Sequence, residues 1–426
     1  MISFLSAKSR LWLVIYWLSL LIYAIFSYAL TAPNLILINN ERFMTFQTWM
    51  WNYFFNQREV LTQVFLIITG GLFTSYGLFI HSLNKQSFIS LKKQLALILL
   101  ITFPLLISNN ALSYDVFNYI FNSRMIVKYQ TNPHVHTALE FASDDWTRFM
   151  HNIHTPAPYG YGWSIISLLP YVLSQGKFIL AWLGYRLFSI FSILITSITI
   201  FWFRIKLFRT PVKTKDWFIL FFNPLFLIEI VSNCHNDLWM MFPAITALLW
   251  MNQASSSLPI HNQVILTSKG VLAWIISIST KMASLALAPL MILVRLSSLI
   301  FSLRLFQPMR NLLTFGVSHQ ADLAAILMFL PLFTNRSQQF HPWYLIWSFV
   351  WIPLIRIKEI KTILLMFSFT SLLRYYPWML TNSYSAQVLA QQRLITWSAI
   401  PLSLIWFWLE HMMRRDWFKH LFSKQA

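Results

Sequence analysis

Residues 109–136 read NNALSYDVFNYIFNSRMIVKYQTNPHVH, and their placement decides how the chain folds. They follow an apolar run and hold the first aspartate of the chain, Asp115, at the edge of that run. In 114–127 the apolar residues Tyr114, Phe117, Ile120, Phe121, Met125 and Ile126 recur every three or four positions, the period of an amphipathic helix. Its aromatic content suits the headgroup layer of a bilayer. Asn132-Pro133 ends the pattern, because a residue before proline avoids the helical conformation. Asp115 therefore stands near a helix start, where the dipole favours an ionised carboxylate.

The surrounding composition explains why such a helix meets lipid. Of 426 residues, 57% are hydrophobic and 11% are charged, with 38 Phe and 20 Trp. A soluble chain carries roughly a quarter charged residues. Apolar runs of about twenty residues recur, enough to cross a hydrocarbon core of roughly 30 Å. They are continuous and do not alternate, which argues against a β-barrel. The sequence thus predicts an all-α, polytopic membrane protein forming a single domain over 1–426, with no linker, low-complexity run or internal repeat.

Spans are expected near 11–30, 60–82, 93–108, 178–203, 217–233, 237–252, 264–280, 282–298, 311–334, 342–357, 362–380 and 396–411. The 264–280 and 282–298 pair is marginal and also reads as a broken hairpin. The 161–174 run is short and contains Pro170, so it is expected as a re-entrant or interfacial helix. The first run is expected as a retained helix, being long for a signal-peptide core and without a small-residue cleavage site.

With both termini cytoplasmic, inner loops collect Lys85, Lys92 and Lys93, then 204–215, Arg304 and Arg310, Arg356, Lys358 and Lys361, and finally Arg414, Arg415, Lys419 and Lys424. Roughly two-thirds of the 32 Lys and Arg residues then face inward, as the positive-inside rule requires. The formal charge of +19 is read as topology and not as a nucleic-acid surface. The single cysteine, Cys234, excludes an intramolecular disulfide and a cysteine metal cluster.

This threading puts 109–160 outside as one large loop and brings distant polar residues to the same face. They are Asp115, the His235-Asn236-Asp237 turn, Lys281, His341, Arg374 and Arg393. A charge within a span costs roughly 3 kcal/mol on insertion scales and usually marks a pathway or a site. Acids and bases meeting at one interface suit an amphiphilic substrate with a charged head.

Several motifs occur in a consistent order: Asp115 in SYDVFNY, Asn132-Pro133, TPAPYGYGW, Asn223-Pro224-Leu225, His235-Asn236-Asp237, Lys281 before an apolar helix containing proline, and His341-Pro342-Trp343-Tyr344. Over about 105–350 the chain resembles the multispanning GT-C glycosyltransferases, with bacterial polyprenol-phosphate-mannose-dependent mannosyltransferases as the nearest branch. The eukaryotic GPI mannosyltransferase is more distant. This chain departs at Asn132-Pro133-His134, where the family commonly has Asn-Pro-Tyr, and at Tyr159-Gly160-Tyr161, where Tyr-Gly-Pro is common.

The resemblance implies transfer of a hexose, mannose first, from a polyprenyl-phosphate donor to a glycolipid or glycan acceptor on the outer face of the cell membrane, with Asp115 as base. Inversion is expected from one base and no covalent sugar–enzyme intermediate. Lys281, His341 and Arg393 are candidates for the donor phosphate, and His235, Asn236 and Asp237 for the sugar or phosphate region. Tyr159, Tyr161 and Asn132 are candidates for the acceptor or its loop. No cofactor is required; Asp115 and Asp237 with His235 are a candidate set for one divalent metal, but there is no tight Asp-x-Asp pair.

Each residue also has a structural use. Asp115 could cap its helix, Lys281 could snorkel to headgroups, the His-Asn-Asp run could simply turn the chain, and His341 could belong to an aromatic belt. Arg374 and Arg393 are more often headgroup contacts. Asp144, Asp145, His151 and His154 read as solvated loop residues, with acceptor contact as the alternative. Glu229 and Asp322 read as packing partners of Arg186 or another buried group. The competing function is a lipid-linked sugar flippase or transporter, which ordinarily shows repeats and a midplane site; a weaker one is an assembly subunit.

Overall fold

The computed structural model describes residues 4–31, 35, 37–84, 87–255, 257–300, 307–334 and 340–414. Lys85, Arg304, Arg415, Lys419 and Lys424 lie outside the described residues. The described chain is helical; its only bridge is an isolated one between Phe88 and Lys213.

Among the described residues, four helices are long and apolar enough to cross a membrane: Ala7–Leu30, Arg58–Ser82, Phe178–Phe208 and Ile260–Thr280. Arg310–Ser318 and Gln320–Phe333 make a fifth if the pair, bent by 72°, is one span. The twelve expected spans are therefore not twelve continuous helices. Asn223-Pro224 separates Thr214–Phe221 from the short Pro224–Leu227 helix and a π-helical turn, Ile228–Ser232. The expected 342–357 span is a 3-10 turn, Pro342–Leu345, and a four-residue helix, Ile346–Phe349. The 396–411 span is the end of Ala386–Trp397 followed by Ala399–Arg414.

Burial explains the discrepancy. Trp217 and Trp351, both in these broken segments, are fully buried. Hydropathy cannot distinguish a side chain packed against protein from one facing lipid, and broken backbone at membrane depth is tolerated where protein surrounds it. By contrast, the spanning-length helices expose large apolar residues such as Leu11, Ile22, Ile67, Phe191 and Leu272.

The 161–174 run forms two short helices, Tyr161–Ile166 and Leu168–Leu173, and neither is long enough to span. The amphipathic helix runs Asp115–Tyr129 and buries Val116, Phe117, Ile120, Phe121 and Met125. It stops at Gln130, whose φ of 51° is left-handed, just before Asn132-Pro133.

Candidate active site

The segment that leads into Asp115 is tied to the segment 229–237 by groups that the sequence separates widely. Asn110 Nδ2 donates to the Ser232 carbonyl at 2.7 Å, and the Leu112 amide donates to Asn233 Oδ1 at 3.4 Å. Arg186, fully buried on the Phe178–Phe203 helix, braces both segments of this junction. Its guanidinium donates to the carbonyls of Leu105 at 2.6 Å, Ser108 at 2.5 Å and Ser232 at 3.2 Å, and to Asn110 Oδ1 at 3.0 Å. It stacks over Trp182 at 4.3 Å.

The expected pairing of Arg186 with Glu229 or Asp322 does not occur. Asp322 instead accepts the backbone amides of Arg356 and Ile357, each at 2.9 Å. Glu229 accepts the Tyr375 hydroxyl at 3.0 Å and Asn233 Nδ2 at 2.9 Å.

Asp115 is the first residue of its helix. The cap residue Tyr114 makes no side-chain capping bond, and the Asp115 amide donates to Ser113 Oγ at 3.3 Å. Its carboxylate faces His235, with Oδ2 3.5 Å from Nδ1, and keeps 21% of its side chain exposed. The opposite ring nitrogen of His235, Nε2, lies 3.3 Å from Glu229 Oε2. Both contacts are ion-pair distances and fall outside hydrogen-bond geometry.

Asp115 opens onto a cavity of about 160 Å³ that it shares with Asn118, His151, His341, Arg374 and Gln392. Trp343 and Trp378 supply aromatic walls. His341 lies just before the Pro342–Leu345 turn, and burial, with Arg374, His235 and Lys281 nearby, holds its imidazole down to about 3, so it is neutral. His151 is not a free loop histidine: it stacks on Tyr114 at 4.0 Å. Burial lowers its pKa and the Asp115 carboxylate raises it, with a net lowering. Arg374 reaches this cavity and donates to Thr396 Oγ1 at 3.2 Å. Arg393 is exposed and does not line it; its neighbour Gln392 does.

Asp237 begins the next helix, Asp237–Gln253, and is fully buried. Its Oδ1 accepts Lys281 Nζ at 2.8 Å and Trp347 Nε1 at 2.5 Å, while Oδ2 has no hydrogen-bond partner. Both polar atoms of the Asn236 side chain are likewise buried without a partner. Buried polar atoms left unpaired are costly and each calls for an explanation.

The YGYG motif explains where Lys281 sits. A Cβ on Gly160 would lie 1.9 Å from the Ser279 carbonyl oxygen, and one on Gly162 would lie 2.2 Å from Ser279 Oγ. The two glycines let this loop seat against the end of Ile260–Thr280, where the Gly160 amide donates to the Thr280 carbonyl at 3.1 Å. Lys281 Nζ then stands 5.7 Å from the Tyr159 ring. Burial and the Asp115 carboxylate push the Tyr159 phenol well above its usual range.

Tyr161 and Asn132 occupy a different pocket, with Gln130, His134, Ser164 and Ile165. The His134 ring lies 3.9 Å from that of Tyr161, tilted by 33°, and its Nε2 is 2.8 Å from Ser164 Oγ. The outer loop is clamped to the Asp115 helix by Asp144, which is not solvated. It accepts Arg124 Nε at 2.6 Å and the Tyr129 hydroxyl at 2.6 Å, with Lys128 Nζ at 3.3 Å. Burial works to raise the Asp144 pKa, but these bonds hold it down, to about 2.

Sequence reading overlooked Glu229 as part of this site. Its signal was an acid six residues before the His235 turn, inside an otherwise apolar stretch. Among the described residues no group of three or more His, Cys, Asp or Glu is arranged to hold a metal ion. Both nitrogens of His235 already face carboxylates, so the Asp115, His235 and Asp237 set does not converge on one point.

Spanning-length apolar helices fit a membrane protein, and its cavity joins one carboxylate to a buried histidine and an arginine. Residues 23–297 match the N-terminal domain of the alpha-(1->6)-mannopyranosyltransferases, and the chain belongs to that MptA/B family. It is thus a GT-C type glycosyltransferase that handles mannose, as the motif order implied. No curated protein and no solved structure matches the chain.

Proposed function

We propose that this chain transfers mannose from a polyprenyl-phosphate donor to a hydroxyl of a glycolipid or glycan acceptor, with Asp115 as general base. The carrying observation is that Asp115, partly exposed, shares a cavity with Arg374 and His341. An acceptor hydroxyl is a poor nucleophile until it loses its proton, and a carboxylate within hydrogen-bond reach contributes roughly 10²–10⁴-fold. As the acceptor oxygen bonds to the anomeric carbon, its proton passes to Asp115. The anomeric carbon–phosphate oxygen bond breaks, and its electron pair leaves with the polyprenyl phosphate. Attack and departure on opposite faces invert the sugar, so an α-linked product comes from a β-linked donor. The family's linkage makes the attacking group a primary hydroxyl.

The departing phosphate gains negative charge, which fixed cations and donors stabilise. Arg374 and the neutral His341 ring line the cavity for this role, and Arg393 adds positive charge near Arg374. Lys281 and Asp237, already paired, and the buried His235 and Asn236 do not line the cavity; His235 backs it from behind Asp115. The basic loops support cytoplasmic termini, twelve passes in all and a site on the outer face of the plasma membrane.

Purified protein given a polyprenyl-phosphate mannose and a mannoside acceptor tests this reading. Asp115→Asn is expected to insert and fold normally and to lose nearly all transfer; full activity would overturn the assignment. Labelling His154→Cys from outside intact cells with a membrane-impermeant maleimide tests the topology, since Cys234 is buried.

A further inference from the structure

Behind Asp115 the structure sets an imidazole and a second carboxylate in series, both fully buried. We propose that His235 and Glu229 are positioning residues that keep Asp115 ionised and aimed into the cavity. This rests on the reading of Asp115 as the base.

The geometry is directional. Nδ1 of His235 faces Asp115 Oδ2 at 3.5 Å, and Nε2 faces Glu229 Oε2 at 3.3 Å. An imidazolium is protonated, and so carries positive charge, at both ring nitrogens. A ring flanked by anionic oxygens on both sides therefore matches an imidazolium between two carboxylates. Its plane is fixed, because it stacks on Trp343 at 3.9 Å and 20°, and Trp343 stacks in turn on His341 at 4.4 Å and 5°.

Glu229 is held as firmly. Tyr375 and Asn233 occupy its two oxygens, and it sits in a π-helical turn, a geometry frequent at functional sites. Two fully buried ionisable groups weaken the fold unless they are paired, and here the third, Asp115, is the partly exposed end of the series that reaches the cavity.

The other ionisable groups facing this series come from several elements. Tyr119 lies on the Asp115 helix, and His151 and Tyr159 on the outer loop. Asp237 and Lys281 pair with each other. His341 is neutral, and Arg374 and Tyr375 close the cavity from the end of the Lys358–Leu373 helix. His235 itself stands between the two carboxylates.

The test is kcat/KM against pH for the full-length protein with a polyprenyl-phosphate mannose. It compares wild type, Asp115→Asn, His235→Gln, Glu229→Gln and the His235→Gln/Glu229→Gln pair. Removing a positive charge at this distance is expected to move the acid-side fall of His235→Gln upward by about one pH unit, with activity returning at higher pH. Glu229→Gln moves it the same way by less, and the double variant behaves as His235→Gln because Glu229 acts through the ring.

Losses equal at every pH, or losses that multiply in the double variant, would show a merely structural role and overturn the proposal. An inactive Asp115→Asn with unmoved profiles in the other variants overturns the role of His235 and Glu229 alone; an active Asp115→Asn overturns the base as well. Should His235→Gln fail to fold, Glu229→Gln carries the test by itself: its amide oxygen still accepts from Asn233, and the Tyr375 hydroxyl turns to accept from its amide nitrogen.

Discussion

Lys281 donates to Asp237 at 2.8 Å from the residue that immediately follows the Ile260–Thr280 helix. The pair ties the end of that helix to the start of Asp237–Gln253. It also places a cation beside Tyr159, and through Tyr159 beside the environment of Asp115.

Breaking that pair should destabilise before it informs on chemistry. Lys281→Ala leaves a buried carboxylate uncompensated, with an expected cost of roughly 3 kcal/mol. Adding Asp237→Asn should recover most of the thermal stability in detergent. If Lys281 serves the donor phosphate, the double variant keeps a raised donor KM and a nearly unchanged acceptor KM. Equal changes in both constants would remove Lys281 from that role.

Arg374 and Arg393 make a paired comparison. Arg374 lines the cavity and Arg393 is exposed, so Arg374→Ala should raise the donor KM by tenfold or more while Arg393→Ala changes it a few-fold at most. The Arg393 effect should also fade at high salt, since exposed charges are screened. A larger effect at Arg393 would reverse the assignment.

Gly160→Ala probes the seat of the YGYG loop. The added methyl would stand 1.9 Å from a carbonyl oxygen, so backbone must move. A loss of about 1–3 kcal/mol in stability is expected, as for other overpacked sites. Reduced transfer should accompany it, and an unaltered melting temperature would show that the loop is free to shift.

The Asp144 clamp gives a pH dependence. Its carboxyl is held to about 2 in the fold against an ordinary 3.8, so its stabilisation is complete above about pH 4 and is lost as pH falls towards 2. Asp144→Asn should loosen the outer loop at neutral pH, read as faster hydrogen exchange over 130–155. The difference from wild type should shrink on acidification, and a constant difference from pH 7 to pH 3 would exclude the carboxylate as its source.

The sequence by itself determined the class. Charge scarcity and long apolar runs demand a helical membrane protein, and the amphipathic period with Asn132-Pro133 behind it defines the Asp115 helix at both ends. Those are local properties, set by solvent and by one residue's neighbours in the chain. Tertiary structure alone decided which polar residues meet. It turned Arg186 to backbone carbonyls, gave Glu229 to His235, brought Arg374 to the cavity in place of Arg393, and divided the Asp115 and Tyr161 pockets. It also interrupted several apolar runs that read as spans. Hydropathy records how much a side chain avoids water, and a buried protein interior satisfies that as well as lipid does.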